Sequence, residues 1–291
     1  MVEQPVWADE AAMVAALRPL LGDDPGTLQF FRSGWDSVAI AARERIFKFP
    51  RHQRALAALR REAAILAFVG PVSPVPVPRL VLHAGERPFS EHPAIPGEHL
   101  LAAQYDGLAP ARRQALAEAL AAFHAATHSL NVGQLTAAGT GPVEAWSPPE
   151  IVERHAVPAL PAPERQRAVD IIATYTALPP DPYGMVYGHF DAHGWNMAFD
   201  LAAGRLNGIY DFADSGIGPL HRDFVCSAFI SWDLTQRLLT AYEAQTGRAL
   251  DRQRVHTLIG YHRLWELAAA VQAGGEVDEM VHAAQDWLDR Q

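Results

Sequence analysis

GHFDAHGWNMAFD, residues 188–200, sets His189, Asp191 and His193 at alternate positions, with Asn196 close behind. Two chemistries fit it. In an extended strand successive side chains alternate, so His189, Asp191 and His193 would share a face and could ligate a metal in a hydrolase. In a phosphoryl-transfer enzyme the same aspartate could orient an acceptor hydroxyl, with Asn196 supplying an oxygen to a divalent cation. A lone His-x-Asp is a weak signal, so the rest of the chain has to decide.

MVYGHFDAHGWNMAFD (185–200) and RLNGIYDFAD (205–214) are strand-like runs flanking the turn LAAG, and they predict a hairpin that brings Asn196 beside Asp211. A carboxylate and an amide oxygen suit Mg²⁺, a hard cation. Upstream, 23 of the 24 basic residues are arginine, and the one lysine is Lys48 in RIFKFPR. Lysine is a compact point charge where arginine is a wide planar fork, so a solitary lysine points to a site such as a nucleotide phosphate. Glu62, on the next helix, could hold that lysine extended; its plain alternative is one more exposed charge beside Arg60 and Arg61. The metal-trio reading leaves Lys48, Asn196 and Asp211 without roles. The phosphoryl-transfer reading uses all of them, with Asp191 as the base.

Apolar spacing predicts a helix over 8–21. LQFFRSG, SVAIAA and RIFKFP predict three antiparallel strands with tight turns. HQRALAALRREAAILAFVG is helical, GPVSPVPVP is an extended spacer, and RLVLHAG and PFSEHPAI predict two more strands. Residues 1–92 therefore read as a five-stranded sheet with one inserted helix. After IPGEHL, residues 93–291 read as mainly helical, clearest at 109–130, where Leu116, Leu120, Phe123, Ala126 and Thr127 line one side.

The ordered set resembles the aminoglycoside phosphotransferase family within the protein-kinase-like superfamily. The family's H-G-D-x-x-x-x-N stands here as His189 to Asn196, and its kinase-like D-F-G as Asp211-Phe212-Ala213. The spacing of Lys48 and Glu62, the PVPVP spacer, the IPG hinge, Thr127-His128 and GPLHRDF agree as well. FRSGWDSVAI followed by IFKFPR most resembles the subgroup that phosphorylates 2″-hydroxyls, some members of which use GTP. The resemblance implies an α+β bilobal fold, with 1–92 holding the nucleotide and 93–291 carrying the catalytic loop and acceptor site. It implies ATP or GTP as co-substrate with Mg²⁺, the nucleotide base lying along the backbone from Glu91 to Ile95. Phosphates would be cradled by the backbone of Ser33, Gly34 and Ser37. It makes His189 and Asp223 supports of the catalytic loop, and Asp214, Trp265 and Glu266 candidates for the acceptor. Phe190 departs from the small residue usual between His and Asp, and Ala213 from the usual glycine; neither removes a functional group. An aspartate near its ordinary pKa would suffice as Asp191.

Composition narrows the partners. The net charge is −9, with residues 1–92 at +1 and the remainder at −10. That argues against nucleic acid and suits a small cationic partner of the rear half. The single cysteine, Cys226, suggests a reducing compartment. MVEQPVWADEAAM lacks the apolar core of a signal peptide, and no run is long enough to cross a membrane; both point to the cytoplasm. The acceptor could instead be choline, homoserine, a sugar or a macrolide. Choline would require an aromatic cage, which the C-terminal tryptophans could supply. Trp195, Trp232 and Trp265 otherwise read as core.

Overall fold

The computed structural model describes residues 6–7, 9–22, 25–32 and 36–289. Ser33 and Gly34 lie outside the described residues. Helix α1 (Glu10–Leu21) begins where the Asp9 carboxylate accepts the Ala12 N–H at 2.6 Å, and ends at Gly22, φ +78°. Strands β1 (Gln29–Phe31), β2 (Ser37–Ala42) and β3 (Arg45–Pro50) follow. Arg43 and Glu44, both at positive φ (48° and 60°), make the tight turn between β2 and β3. After α2 (Gln53–Val69) come β4 (Val81–His83) and β5 (Phe89–Pro93). The expected five-stranded antiparallel sheet forms in the order β1-β2-β3-β5-β4. Met13, Leu17 and Leu21 of α1 close its outer face against Ile40, Phe47, Phe49 and Phe89.

The remainder is mainly helical: α3 (Ala102–Asp106), α4 (Pro110–His128), α5 (Val132–Ala137), α6 (Pro149–Ala159), α7 (Ala162–Thr176), α8 (Trp232–Thr246), α9 (Arg252–Ala273) and α10 (Val277–Leu288). Four short strands interrupt it, β6 (Met185–Gly188), β7 (Met197–Asp200), β8 (Arg205–Ile209) and β9 (Gly216–Pro219). Leu116, Leu120, Phe123 and Thr127 are the buried side of α4; Ala126 is only half-buried. Among the described residues, no helix is long and apolar enough to cross a membrane.

Two expectations change. The run 185–200 is not one strand: β6 pairs with β9, and β7 pairs with β8. Between them Phe190 is left-handed (φ +60°) and Gly194–Asn196 form a 3₁₀ turn, so the pleat cannot continue. Helix α2, in turn, does not belong to the small sheet core alone. Its Ile65, Leu66 and Val69, with Val75 of the proline spacer, join the large cluster of the helical part. Apolar packing thus crosses a boundary drawn at residue 92.

The segment after β5 straps the sheet to the helical part. Glu98 and Phe199 exchange both backbone hydrogen bonds, at 2.9 and 2.8 Å, and Leu100 N–H donates to the Gly194 carbonyl at 3.0 Å. Gly97 sits at φ +147°, and a Cβ there would stand 2.7 Å from Phe199 N and 2.8 Å from Ala198 C. Those are backbone atoms of a paired strand and cannot yield. Gly97→Ala is therefore expected to cost about 2 kcal/mol or more. A fall in the denaturant midpoint with unchanged m-value is the measurement that checks it.

Candidate active site

Lys48 lies at the middle of β3, paired to Ala39 on one side and Ser90 on the other. Strand alternation turns its ammonium to the inner face, away from Phe47 and Phe49. There Nζ lies 3.4 Å from Glu62 Oε1 and 3.1 Å from Asp211 Oδ1. Glu62 is the one charged residue on the buried stripe of α2, 2 % exposed, which excludes the surface alternative. Its carboxylate also accepts the Phe212 N–H at 3.2 Å, tying the helix to the Asp-Phe-Ala turn. Burial works against the charged lysine, but Glu62 and Asp211 outweigh it and raise the Lys48 pKa. The adjacent lysine, opposed by burial, holds Asp211 below the usual carboxylate range.

On the opposite wall, Asn196 Nδ2 donates to the Asp191 carbonyl at 2.9 Å and to Asp191 Oδ2 at 2.7 Å. With its nitrogen so engaged, the amide oxygen is left for another partner. The Asn196 carbonyl accepts the Tyr210 N–H at 3.0 Å, so the hairpin holds Asn196 next to Asp211 as expected. A carboxylate and an amide oxygen side by side are a donor set that fits Mg²⁺.

Asp191 is about one-third exposed at its side chain, and His193 Nε2 approaches its Oδ1 at 3.3 Å. Burial first, then the charges of Asp214, Asp211 and Glu266, push its carboxyl up to about 7. An ordinary aspartate pKa would have sufficed for the role; burial, and then acids from distant sequence positions, raise it.

Two cavities, of 460 and 660 Å³, share Phe31, Ala39, Lys48 and Asp211 and so make one cleft. The first holds Ser37, Glu62, Asp191, His193, Asn196 and Asp214. The second runs along Ile46, His92, Ala94, Ile95 and Tyr210 to Trp195. Glu91 is not among the residues lining the cleft; its side chain lies beside Arg45 and His83. A separate open cavity of 730 Å³ along α2 and residues 70–81 is apolar apart from Ser73 and Arg79 and holds none of these groups.

The hydrolase trio is not assembled. His189 is fully buried; its Nε2–H donates to the Tyr210 carbonyl at 3.1 Å and its Nδ1 accepts the Asp191 N–H at 3.3 Å. It is a neutral imidazole with both nitrogens used, bracing the loop. Asp223 lies beneath, its Oδ1 accepting the Phe190 N–H. Its Oδ2 takes hydrogen bonds from His124 Nδ1 at 2.8 Å and His128 Nε2 at 2.9 Å. His128 Nδ1 in turn accepts from the Tyr242 hydroxyl at 2.9 Å. These are hydrogen-bond separations, shorter than the gap of about 3.3 Å that tetrahedral metal ligation sets between donor atoms. The sequence pointed to Asp223 and not to His124, although the spacing of His124 and His128, one turn apart on α4, was visible.

Burial pushes His189 down to about 4 and also lowers His128. A depressed folded pKa means that the unfolded chain binds more protons at mildly acid pH. The stabilisation is thus complete above about 6.5 and is lost as pH falls toward about 4. His189 alone accounts for about 3 kcal/mol of that loss. Asp191, raised to about 7, acts with the opposite sign over the same window, so the contribution is read as a difference: between pH 7 and 4.5 the denaturant-derived stability of the wild type is expected to fall relative to that of His189→Gln.

The acceptor candidates divide. Asp214 lines the cleft beside Asp191. Glu266 pairs with Arg263 at 2.9 Å and His262 at 3.4 Å, and its charge reaches Asp191. Trp265 packs on Trp146 and His262 and is not among the residues lining the cleft. Trp195, expected in the core, is 57 % exposed at the cleft edge. His92 and Tyr210 were missed; the register that places His92 opposite Ile46, facing the same way as Lys48, was the signal for the first.

Fold and site together define a phosphotransferase with an alcohol group as acceptor, acting on small molecules from a two-lobed protein-kinase-like frame. The sequence pattern of the phosphotransferase enzyme family, APH, matches residues 27–267, and the chain belongs to that family. Among solved structures, the GDP complex of wild-type aminoglycoside 2′-phosphotransferase-IIIa is 18 % identical, with TM-score 0.80, over 97 % of this chain and 98 % of that one. The GDP and kanamycin complex of the APH(2″)-IIIa enzyme is similar at 18 % identity and TM-score 0.77, over 97 % and 98 %. A macrolide 2′-phosphotransferase of type I is similar at 18 % identity and TM-score 0.68, over 98 % of both chains. No curated protein matches the chain.

Proposed function

We propose that the protein transfers the γ-phosphate of ATP or GTP to a hydroxyl of a small cationic acceptor of aminoglycoside type. The observation that carries this reading is the convergence of Lys48, Glu62 and Asp211 opposite Asn196 and Asp191 in one cleft. Residues 1–92 hold the nucleotide, and 93–291 carry the loop and the acceptor. Lys48 binds the α/β-phosphates and Glu62 holds it extended. The base lies along Ala94 and Ile95, with Ser37 at the phosphate end. Asn196 and Asp211 would hold Mg²⁺, which neutralises phosphate charge when bound. Asp191 accepts a hydrogen bond from the acceptor hydroxyl and orients it in line; a carboxyl titrating near neutrality is suited to taking that proton. One buried thiol, Cys226, suits a reducing compartment, and the assignment is cytoplasmic.

The acceptor class rests on charge. Asp36, Asp191, Asp211 and Asp214 line the phosphate end of the cleft, where Lys48 is the only Lys or Arg among the described residues. Ammonium groups are drawn to such a basin. The compared enzymes include one bound to kanamycin. A macrolide is the second reading, since one similar enzyme is a macrolide phosphotransferase. A quaternary amine cage finds less support. The Arg222 guanidinium already covers the Trp146 ring at 4.3 Å, and Arg263 covers Phe229 at 3.6 Å.

The test is a screen of ATP and GTP against aminoglycosides, macrolides and amino-alcohols, read as phosphorylated product by mass. An aminoglycoside product is expected; products only from a macrolide or an amino-alcohol would reject the acceptor class. Lys48→Ala is expected to weaken Mg²⁺-nucleotide binding about tenfold or more, the loss of one charge-assisted contact. Unchanged binding by calorimetry would remove Lys48 from the phosphates.

A further inference from the structure

Phe190 stands where the family pattern has a small residue, and it is left-handed at φ +60°, a conformation strained for a bulky side chain. Both of its peptide groups are held. The N–H donates to the buried Asp223 carboxylate, and the carbonyl accepts the Cys226 thiol at 3.2 Å. The ring is nearly buried. A Cβ on Gly218 of β9 would meet Phe190 Cζ at 2.6 Å and Val143 Cγ1 at 2.6 Å, so ring and Val143 cover the same glycine.

Val143 belongs to a segment strapped to β9. Its N–H donates to the Ile217 carbonyl, and the Ile217 N–H donates to the Gly141 carbonyl, both at 3.0 Å. Arg222 ties the same parts together. It donates to the Glu144 carbonyl at 2.7 Å and lies 4.3 Å from the Trp146 ring and 5.9 Å from the Phe190 ring. Gly141 to Glu144 wall a 390 Å³ cavity that shares Asp36 and Asp214 with the cleft.

We infer that Phe190 is a positioning residue: its clamped left-handed backbone aims the Asp191 carboxylate, and its ring couples that aim to the 141–144 segment, which borders the cleft at Asp36 and Asp214. This rests on the reading of Asp191 given above. A glycine at 190 would adopt the same φ without strain but would wander, having lost the ring that pins it. Phe190 therefore supplies by packing the order that a freer residue would lack.

The experiment measures Mg²⁺-dependent turnover of ATP and GTP with water as the acceptor, together with nucleotide Kd, in the full chain. Phe190→Gly is expected to lower kcat about tenfold or more, as small misplacements of a reacting group do. Its nucleotide Kd is expected to stay within about twofold, since no nucleotide contact is removed. Asp191→Asn sets the floor. If the wild type turns over no faster than Asp191→Asn, the reading of Asp191 fails and the inference fails with it. If the wild type is faster and Phe190→Gly equals it, the inference alone is overturned. Should Phe190→Gly not fold, the Cys226 pair decides. Cys226→Ser keeps a donor to the Phe190 carbonyl and is expected to retain most of the rate that Cys226→Val, close in volume but without a donor, loses at unchanged Kd. Equal rates in the two variants overturn the clamp.

Discussion

Asp191→Asn is expected to bind Mg²⁺-nucleotide like the wild type and to transfer phosphate about 10²–10⁴-fold more slowly. The substitution keeps the volume and one acceptor oxygen but removes the charge and the capacity to take a proton. Lys48, Glu62 and Asp211 are untouched, so the nucleotide cradle stays intact. The Asn196 amide now faces an amide instead of a carboxylate, a change confined to the loop. Single-turnover transfer measured beside nucleotide affinity separates the two effects; a rate near that of the wild type would remove Asp191 from the base role.

The second large effect is on stability. Asp223→Ala deletes a fully buried carboxylate that takes hydrogen bonds from His124, His128 and the Phe190 N–H. Those donors cannot reach water from where they lie. Removing one partner of a buried charged network costs about 3–5 kcal/mol. For a chain of this size that corresponds to an apparent Tm lower by about 5–8 °C. A thermal melt within a degree or two of the wild type would show that water or a rearranged side chain replaces the carboxylate. The chain Tyr242–His128–Asp223–Phe190 then also loses its link to the catalytic loop, so surviving protein is expected to be slow as well as fragile.

The sequence carried the local and the periodic parts of this molecule well. Lys48, solitary among arginines, and Glu62, fourteen residues on at a buried helical position, meet at 3.4 Å. The strands of the sheet were legible as short β-prone runs set off by turn residues. The stretch 188–200 was misread as continuous because alternation says nothing about φ. The left-handed Phe190 and the 3₁₀ turn Gly194–Asn196 break it, and a phenylalanine gives no warning of the first. The pairing of β6 with β9 joins segments nearly thirty residues apart, which no window of sequence reports. The raised pKa of Asp191 has the same origin, for Asp211, Asp214 and Glu266 become its neighbours only through the fold. Helix α2 was correct as an element, while its attachment to both cores was hidden, since an apolar stripe does not state which partner it faces.

The solitary Lys48 has an analytical consequence. A lysine-specific protease has one peptide bond to cut in this chain, the one between Lys48 and Phe49. That bond lies inside β3, flanked by β2 and β5, with Phe49 fully buried. The enzyme cannot reach it by fraying a terminus or opening a surface loop. A single cleavage, yielding two fragments, would time the parting of the nucleotide-lobe sheet, and any ligand that grips this lysine should slow the cut.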